Sequence, residues 1–209
     1  MEFVKIANGI WKGRIGTPEA HTPVACRSFS MREEALELLG EPELPEVAKD
    51  ITVRSNRRGL QIMLPMDKDE AVYGFGLQLH SLNQAGRKRT LRVNADAVAD
   101  TGESHAPVPF YVSTAGYGLL VDTYRHVDFY MGTHVEKGRS ARRNEVNQVQ
   151  EEFSEAVIYG RKKNTESRAV IIDLKAVDGV EFYLFAGNVK QAVQRYNLFS
   201  GGGCLPPMW

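Results

Sequence analysis

Short apolar runs broken by glycine, proline and asparagine recur along the chain, and helical periodicity is confined to two brief stretches. In residues 1–29, Val4, Ile6 and Ile10-Trp11 are followed by Gly13, Gly16 and Pro18, which predicts short strands and turns. Ser30-Met-Arg-Glu33 has the form of a capping box. Ala35, Leu36, Leu38 and Leu39 then give a short helical face that Gly40 ends. Pro42 and Pro45 make residues 41–50 a connection. Ile51-Thr-Val-Arg54 and Gly59-Leu-Gln-Ile-Met-Leu-Pro65 alternate apolar with polar around Asn56-Arg-Arg-Gly59, the pattern of a hairpin. Tyr73 and Phe75 alternate with small residues, as on a pleat with one buried face.

A polar loop follows, with Asn94, Asp96, Asp100, Thr101 and His105. Pro107 and Pro109 cannot donate to a ladder, so they mark an edge or a strand entrance. Phe110-Tyr-Val-Ser113 and Tyr117-Gly-Leu-Leu-Val121 form a second hairpin around Ala115-Gly116. Val127–Met131 reads as a strand, residues 135–152 as a solvated, charge-dense ribbon or loop, and 155–159, 168–173 and 180–185 as the remaining strands. The last helix runs from its cap Asn188 to Phe199, with Val189, Ala192, Val193 and Tyr196 on one face and Gly201-Gly-Gly203 stopping it. Regular turn signals and little helix predict an all-β antiparallel sandwich in one domain, with one or two short helices.

Composition narrows the function more than the fold. Lys+Arg and Asp+Glu both number 26, and a net charge of zero argues against general affinity for nucleic acid or anionic membranes. Arg139, Arg142 and Arg143 are interspersed with acids and lack an aromatic platform, so they read as a solvated surface. The first ten residues lack the apolar core of a signal peptide. No run approaches the roughly 20 apolar residues of a membrane span. The compartment stays open between cytoplasm and export with a removed signal.

Cys26 and Cys204 are read as two unpaired thiols, with a bridge joining the two ends as the alternative. The five histidines are scattered, and no Cys-x-x-Cys or His-x-x-x-His spacing supplies a metal site. Gly74-Phe-Gly76 is not a dinucleotide fingerprint, since no helix with a third glycine follows, and no cofactor is expected. Ser104, His105 and Asp100 lack a nucleophile elbow and do not make a triad. Tyr73, Phe75, Phe110 and Tyr111 read as core, not as a sugar-stacking platform.

Five segments, in order, resemble glycoside hydrolase family 31. They are Tyr73-Gly-Phe-Gly76; Asn94-Ala-Asp96; Pro109-Phe-Tyr with Gly116-Tyr-Gly118; Glu181-Phe-Tyr-Leu-Phe-Ala-Gly187 with Gln191-Ala-Val-Gln-Arg-Tyr196; and Ser200-Gly201 with Leu205-Pro-Pro-Met-Trp209. The family comprises α-glucosidases, α-xylosidases, α-galactosidases and relatives. The resemblance is to the galactose-mutarotase-like supersandwich before the catalytic barrel. It implies a sandwich over residues 1–200 and, in 201–209, a linker into a barrel that lies beyond.

Retaining glycosidases need two carboxyl groups about 5–5.5 Å apart. The resemblance puts both on the barrel as aspartates, so no residue here inherits a catalytic role and the chain alone is expected to be inactive. It also implies a loop reaching over the barrel mouth to an α-linked carbohydrate, with Asp96 and Asn94 as the substrate-binding residues. A carboxylate suits that duty because it accepts charge-assisted hydrogen bonds from sugar hydroxyls. Read without the family, both residues are turn formers that bond to nearby backbone. A freestanding carbohydrate-binding sandwich is the rival reading, and a stand-alone mutarotase-like enzyme a third. Self-association of a fragment deprived of its barrel is also expected.

Overall fold

The computed structural model describes residues 2–28, 30–94, 101–136 and 167–201. The expected strand at 155–159, most of the charged ribbon and the tail with Cys204 lie outside the described residues.

Among the described residues, two antiparallel sheets face one another. The first orders its strands β1 (Phe3–Ala7), β2 (Ile10–Gly16), β11 (Gly179–Ala186), β8 (Tyr117–Asp122), β7 (Phe110–Ser113) and β5 (Val72–Gly74). The second runs β3 (Thr52–Asn56), β4 (Gly59–Met66), β10 (Ser167–Lys175), β9 (Val127–Glu136) and β6 (Lys88–Thr90). The helices among the described residues are α1 (Glu33–Glu37), a 3₁₀ turn at Glu46–Lys49, and α2 (Val189–Phe199). The all-β sandwich and both predicted hairpins, β3–β4 and β7–β8, are present.

The two strands latest in sequence occupy the sheet interiors. β10 pairs with β4 on one side and β9 on the other, and β11 lies between β2 and β8. Each sheet is therefore closed by pairings between residues more than a hundred positions apart.

The second sheet has one buried face. Leu60, Ile62, Leu64 and Met66 of β4, with Val170, Ile172 and Leu174 of β10, point inward, and Gln61, Met63 and Pro65 do not. That is the alternation of an antiparallel sheet solvated on one side. The first sheet is buried on both. Tyr117, Leu119 and Val121 of β8 join the inner core, Leu120 faces a second, outer core, and all six residues of β8 are buried. Its unbroken apolar run follows from that double burial.

The outer core lies beneath α2. Asn188 caps this helix in a full capping box: its side chain accepts from Gln191 N at 3.0 Å, and Gln191 Oε1 accepts from Asn188 N at 3.1 Å. Tyr196 stacks on Phe110 with ring centroids 3.9 Å apart. Arg195 is only 1% exposed. Its guanidinium donates to the carbonyls of Ala186 at 2.8 Å, Leu39 at 2.9 Å, Gly40 at 3.3 Å and Asn8 at 3.4 Å. One side chain thus joins the β1–β2 turn, the end of α1 and the end of β11. Burial lowers the guanidinium's affinity for its proton. Gly9 is required here, because a Cβ on it would stand 2.1 Å from Arg195 Nε.

The Ser30 capping box does not form. Arg32 occupies the N-cap of α1 without a side-chain cap, and its N–H donates to Leu198 O at 3.1 Å. Docking of this segment on the end of α2 sets where the short helix starts, overriding the local signal.

Asp128 of β9 is 5% exposed and accepts from Thr90 Oγ1 at 2.7 Å and Lys175 Nζ at 3.0 Å, with Lys88 Nζ at 3.3 Å. Burial alone would raise its carboxyl. Thr90 and the two lysines outweigh burial and hold it below the ordinary carboxylate range. A depressed folded value means that this stabilisation is complete above the unfolded pKa and is lost as pH falls through the folded one. Asp128→Asn is expected to cost about 1–2 kcal/mol at neutral pH, discounted for the solvated lysines. In urea titrations of both proteins the gap should narrow towards about pH 3; an unchanged gap there would exclude the carboxylate charge as its source.

Candidate functional site

The site begins with a change of backbone direction at the end of β5. Gly74, Phe75 and Gly76 have φ of 136°, 67° and 83°. Left-handed backbone at a non-glycine residue costs on the order of 1–3 kcal/mol and persists only where its surroundings enforce it. Here Phe75 N donates to Phe110 O at 2.8 Å, and the fully buried ring lies 4.9 Å from Phe129 and 5.6 Å from Tyr111. Both glycines are forced by close approach: a Cβ at Gly74 would be 2.5 Å from Phe110 O, and one at Gly76 1.7 Å from Ala106 O. The expected single buried face for Tyr73 and Phe75 is therefore corrected. Tyr73 packs against the outer core and Phe75 enters the inner one, because the left-handed step reverses the side on which the side chain emerges.

From Gly76 the chain crosses to the second sheet and returns as a narrow ladder. Leu77 N donates to Ala106 O at 3.3 Å, and the buried Ser104 donates its hydroxyl to Leu77 O at 2.9 Å. Across the ladder, Thr90 N donates to Gly102 O at 2.8 Å, Ser104 N to Arg92 O at 3.3 Å and Asn94 N to Ser104 O at 3.0 Å. Arg92 pairs with Glu103, and Leu91 N ties the base to Val127 O at 2.8 Å.

Asn94 stands at the neck of this loop, where its Nδ2 donates to Thr101 Oγ1 at 3.1 Å. That local bond is the turn-forming duty expected of an asparagine read without the family. Asp96 and Asp100 lie outside the described residues. Thr101 and His105 are exposed, whereas Ser104 is buried and its hydroxyl is taken by Leu77 O. Phe75, Phe110 and Tyr111 are core, and Tyr73 is half-buried beside them. Among the described residues no group of three or more His, Cys, Asp or Glu side chains is gathered for a metal ion.

Ser104, weighed in the sequence only as a triad member, and Glu70 both have structural duties that the sequence does not signal. Glu70 is 7% exposed; its Oε1 accepts from Ser113 Oγ, and from Tyr117 Oη at 3.5 Å, and its Oε2 accepts from Asp67 N at 3.0 Å. Burial, with the Glu70 charge adding to it, pushes the Tyr117 phenol well above its usual range. This network holds the start of β5 against the β7–β8 hairpin. The acidic Asp67–Glu70 turn carries no sign of it in sequence.

Residues 30–129 match the glycosyl hydrolase 31 N-terminal galactose mutarotase-like domain. Over that span, just under half of its length, the chain is similar to the leading domain of family 31. Its matched domain contains the Gly74–Gly76 turn and both sides of the ladder, and stops before β10 and β11 supply the sheet interiors. An α-xylosidase of Lactiplantibacillus pentosus is 26% identical over 147 residues, which are 70% of this chain and 15% of that protein. The dextranase of Flavobacterium johnsoniae, solved with glucose, superposes on 98% of this chain and 26% of its own with a TM-score of 0.53 at 16% identity, a likeness of fold. The chain thus spans a minor part of the length of these relatives. No helix among the described residues is long and apolar enough to cross a membrane.

The turn at Gly76 makes a direct test of how the ladder is held. Gly76→Ala imposes both a left-handed alanine and a clash with the Ala106 backbone. It is expected to destabilise the domain by about 1–3 kcal/mol and to speed hydrogen exchange at the Leu77 and Asn94 amides first. Unchanged exchange at both amides would show that the turn does not hold the ladder.

Proposed function

We propose that this chain is the non-catalytic amino-terminal domain of a retaining α-glycosidase, packed on a catalytic barrel and lending the 94–105 loop to sugar recognition. On this reading residues 1–200 are the sandwich and 201–209 lead into the barrel. The supporting observation is the ladder itself. Ser104 holds Leu77 through its hydroxyl and Arg92 and Asn94 through its backbone, so the loop is built on a fixed base where a recognition loop requires one.

Asp96, with Asn94 beside it, is the residue assigned to the sugar. An ionised carboxylate accepting from a hydroxyl contributes about 1.5–3 kcal/mol, and a site built around such a bond discriminates against an analogue lacking the hydroxyl. The xylosidase relative makes an aryl α-xyloside the first substrate to try, beside the α-glucoside and α-galactoside. This chain alone is expected to hydrolyse none of them, and the polypeptide carrying it with a catalytic barrel to hydrolyse at least one. In that polypeptide Asp96→Ala should lower kcat/KM about tenfold to a hundredfold, and Asn94→Ala should lower it less. An unchanged kcat/KM in Asp96→Ala removes the assignment; turnover by this chain alone removes the non-catalytic reading.

Without its barrel the domain has zero net charge and little colloidal repulsion. Light scattering of the isolated chain should show association that grows with concentration. A monomer throughout would count against an uncovered interface.

A further inference from the structure

Seven large hydrophobic side chains are exposed among the described residues, and four of them belong to one loop and the strand segment beside it. They are Leu77 at 49%, Leu79 at 57%, Leu82 at 79% and Val93 at 65% exposure. Single exposed leucines are ordinary on protein surfaces, but a concentration of them marks an interaction site. Leu77 and Val93 are neighbours through Ser104, which bonds the carbonyl of the first and bridges to the second.

Three polar side chains of the same loop, Gln78, Ser81 and Gln84, turn back on nearby backbone. Gln78 Nε2 donates to Phe75 O at 3.1 Å and Ser81 Oγ to Asn83 O at 2.9 Å. The fully buried Gln84 donates to Leu82 O at 3.3 Å and also to Ser81 O. These three side chains are spent on backbone carbonyls while Leu77, Leu79 and Leu82 stand outward. Both ends of the loop are fixed, by Leu77 N on Ala106 O at 3.3 Å and by Gly86 N on Met131 O at 2.6 Å. Inward hydrogen bonds and fixed ends hold the leucines out before any partner arrives, which removes much of the ordering cost of binding.

We infer that Leu77, Leu79, Leu82 and Val93 form the face through which this domain docks on the catalytic barrel of a family 31 polypeptide; the inference rests on the function proposed above. The occupant is an apolar protein surface. A sugar is recognised by convergent polar groups, and here the polar groups converge on the loop itself. The relatives supply the mass: the chain spans 15% of the xylosidase and 26% of the dextranase. Interfaces between domains of one chain bury about 600–1,500 Å², and three leucines on a fixed loop with Val93 beside them provide the hydrophobic centre of one. Docking there seats the Asn94 neck at the rim of the interface, beside Val93.

Hydroxyl-radical footprinting tests the inference by comparing this chain with the polypeptide that joins it to a catalytic barrel. Labelling of Leu77, Leu79, Leu82 and Val93 is expected to fall several-fold in the joined form, with Leu38 (88% exposed) and Tyr124 (64%) labelled alike in both. A double variant, L79S with L82S, should leave the thermal midpoint of the isolated chain unchanged and restore labelling of Leu77 and Val93 in the joined polypeptide. Protection of Val4, Leu38 or Tyr124 in place of the four would overturn the inference while leaving a barrel-packed domain standing. Protection nowhere would overturn both. Protection of the four in the isolated chain, growing with its concentration, would make a second copy the occupant and overturn the barrel as partner.

Discussion

The loop geometry of this domain depends on three consecutive residues with positive φ. Gly74 and Gly76 allow the backbone to pass against Phe110 and Ala106 at distances no Cβ tolerates, and Phe75 between them takes a left-handed conformation that only its buried ring and its bond to Phe110 O enforce. Strain of this kind persists where packing over-determines it. Its effect is to end β5, drive Phe75 into the inner core and aim the following residues across the sandwich. The polar ladder, the leucine loop and the Asn94 neck all stand on that turn.

The second constraint is non-local. β10 and β11 fill the sheet interiors and are the latest strands in the chain, and Arg195 of α2 then binds carbonyls from three separate segments. A buried guanidinium held only by backbone oxygens is costly to bury and costly to remove, since its loss leaves those carbonyls without a donor. It favours one arrangement of α1, α2 and the β1–β2 turn over others of similar hydrophobic burial. The same dependence explains why the N-cap of α1 is set by Leu198 and not by Ser30.

Much of the fold was legible in the sequence because it is written in local patterns. The alternation in β4, the hairpin at Ala115-Gly116 and the Asn188 cap each need only a few adjacent residues to be read. The features that escaped are those in which a side chain's role is set by distant partners. Nothing near Arg195 distinguishes it from a surface arginine, and the burial of Glu70 depends on Ser113 and Tyr117, more than forty positions away. The strand period misled at Phe75 because one left-handed residue cancels it. At the candidate site, Asn94 was legible as a loop residue, and its bond to Thr101 is the local contact its type favours. The part played by Ser104 was not, since a serine in a polar loop is ordinarily solvated and this one is the buried knot between two segments.

The leucine loop and the ladder share that knot, and on the proposed reading this sharing ties recognition to docking. Ser104 accepts Asn94 N–H through its carbonyl and holds Leu77 through its hydroxyl, so the base of the polar loop and the base of the apolar one cannot move independently. If a barrel covers the leucines, the same contact fixes the height at which the neck meets that barrel. On the proposed reading, this domain would influence substrate choice by geometry: burial of Leu77 and Val93 would set where the 94–105 loop begins. On that reading the free energy that orients the loop comes from hydrophobic burial at the interface, so the sugar contact itself can be a single polar side chain.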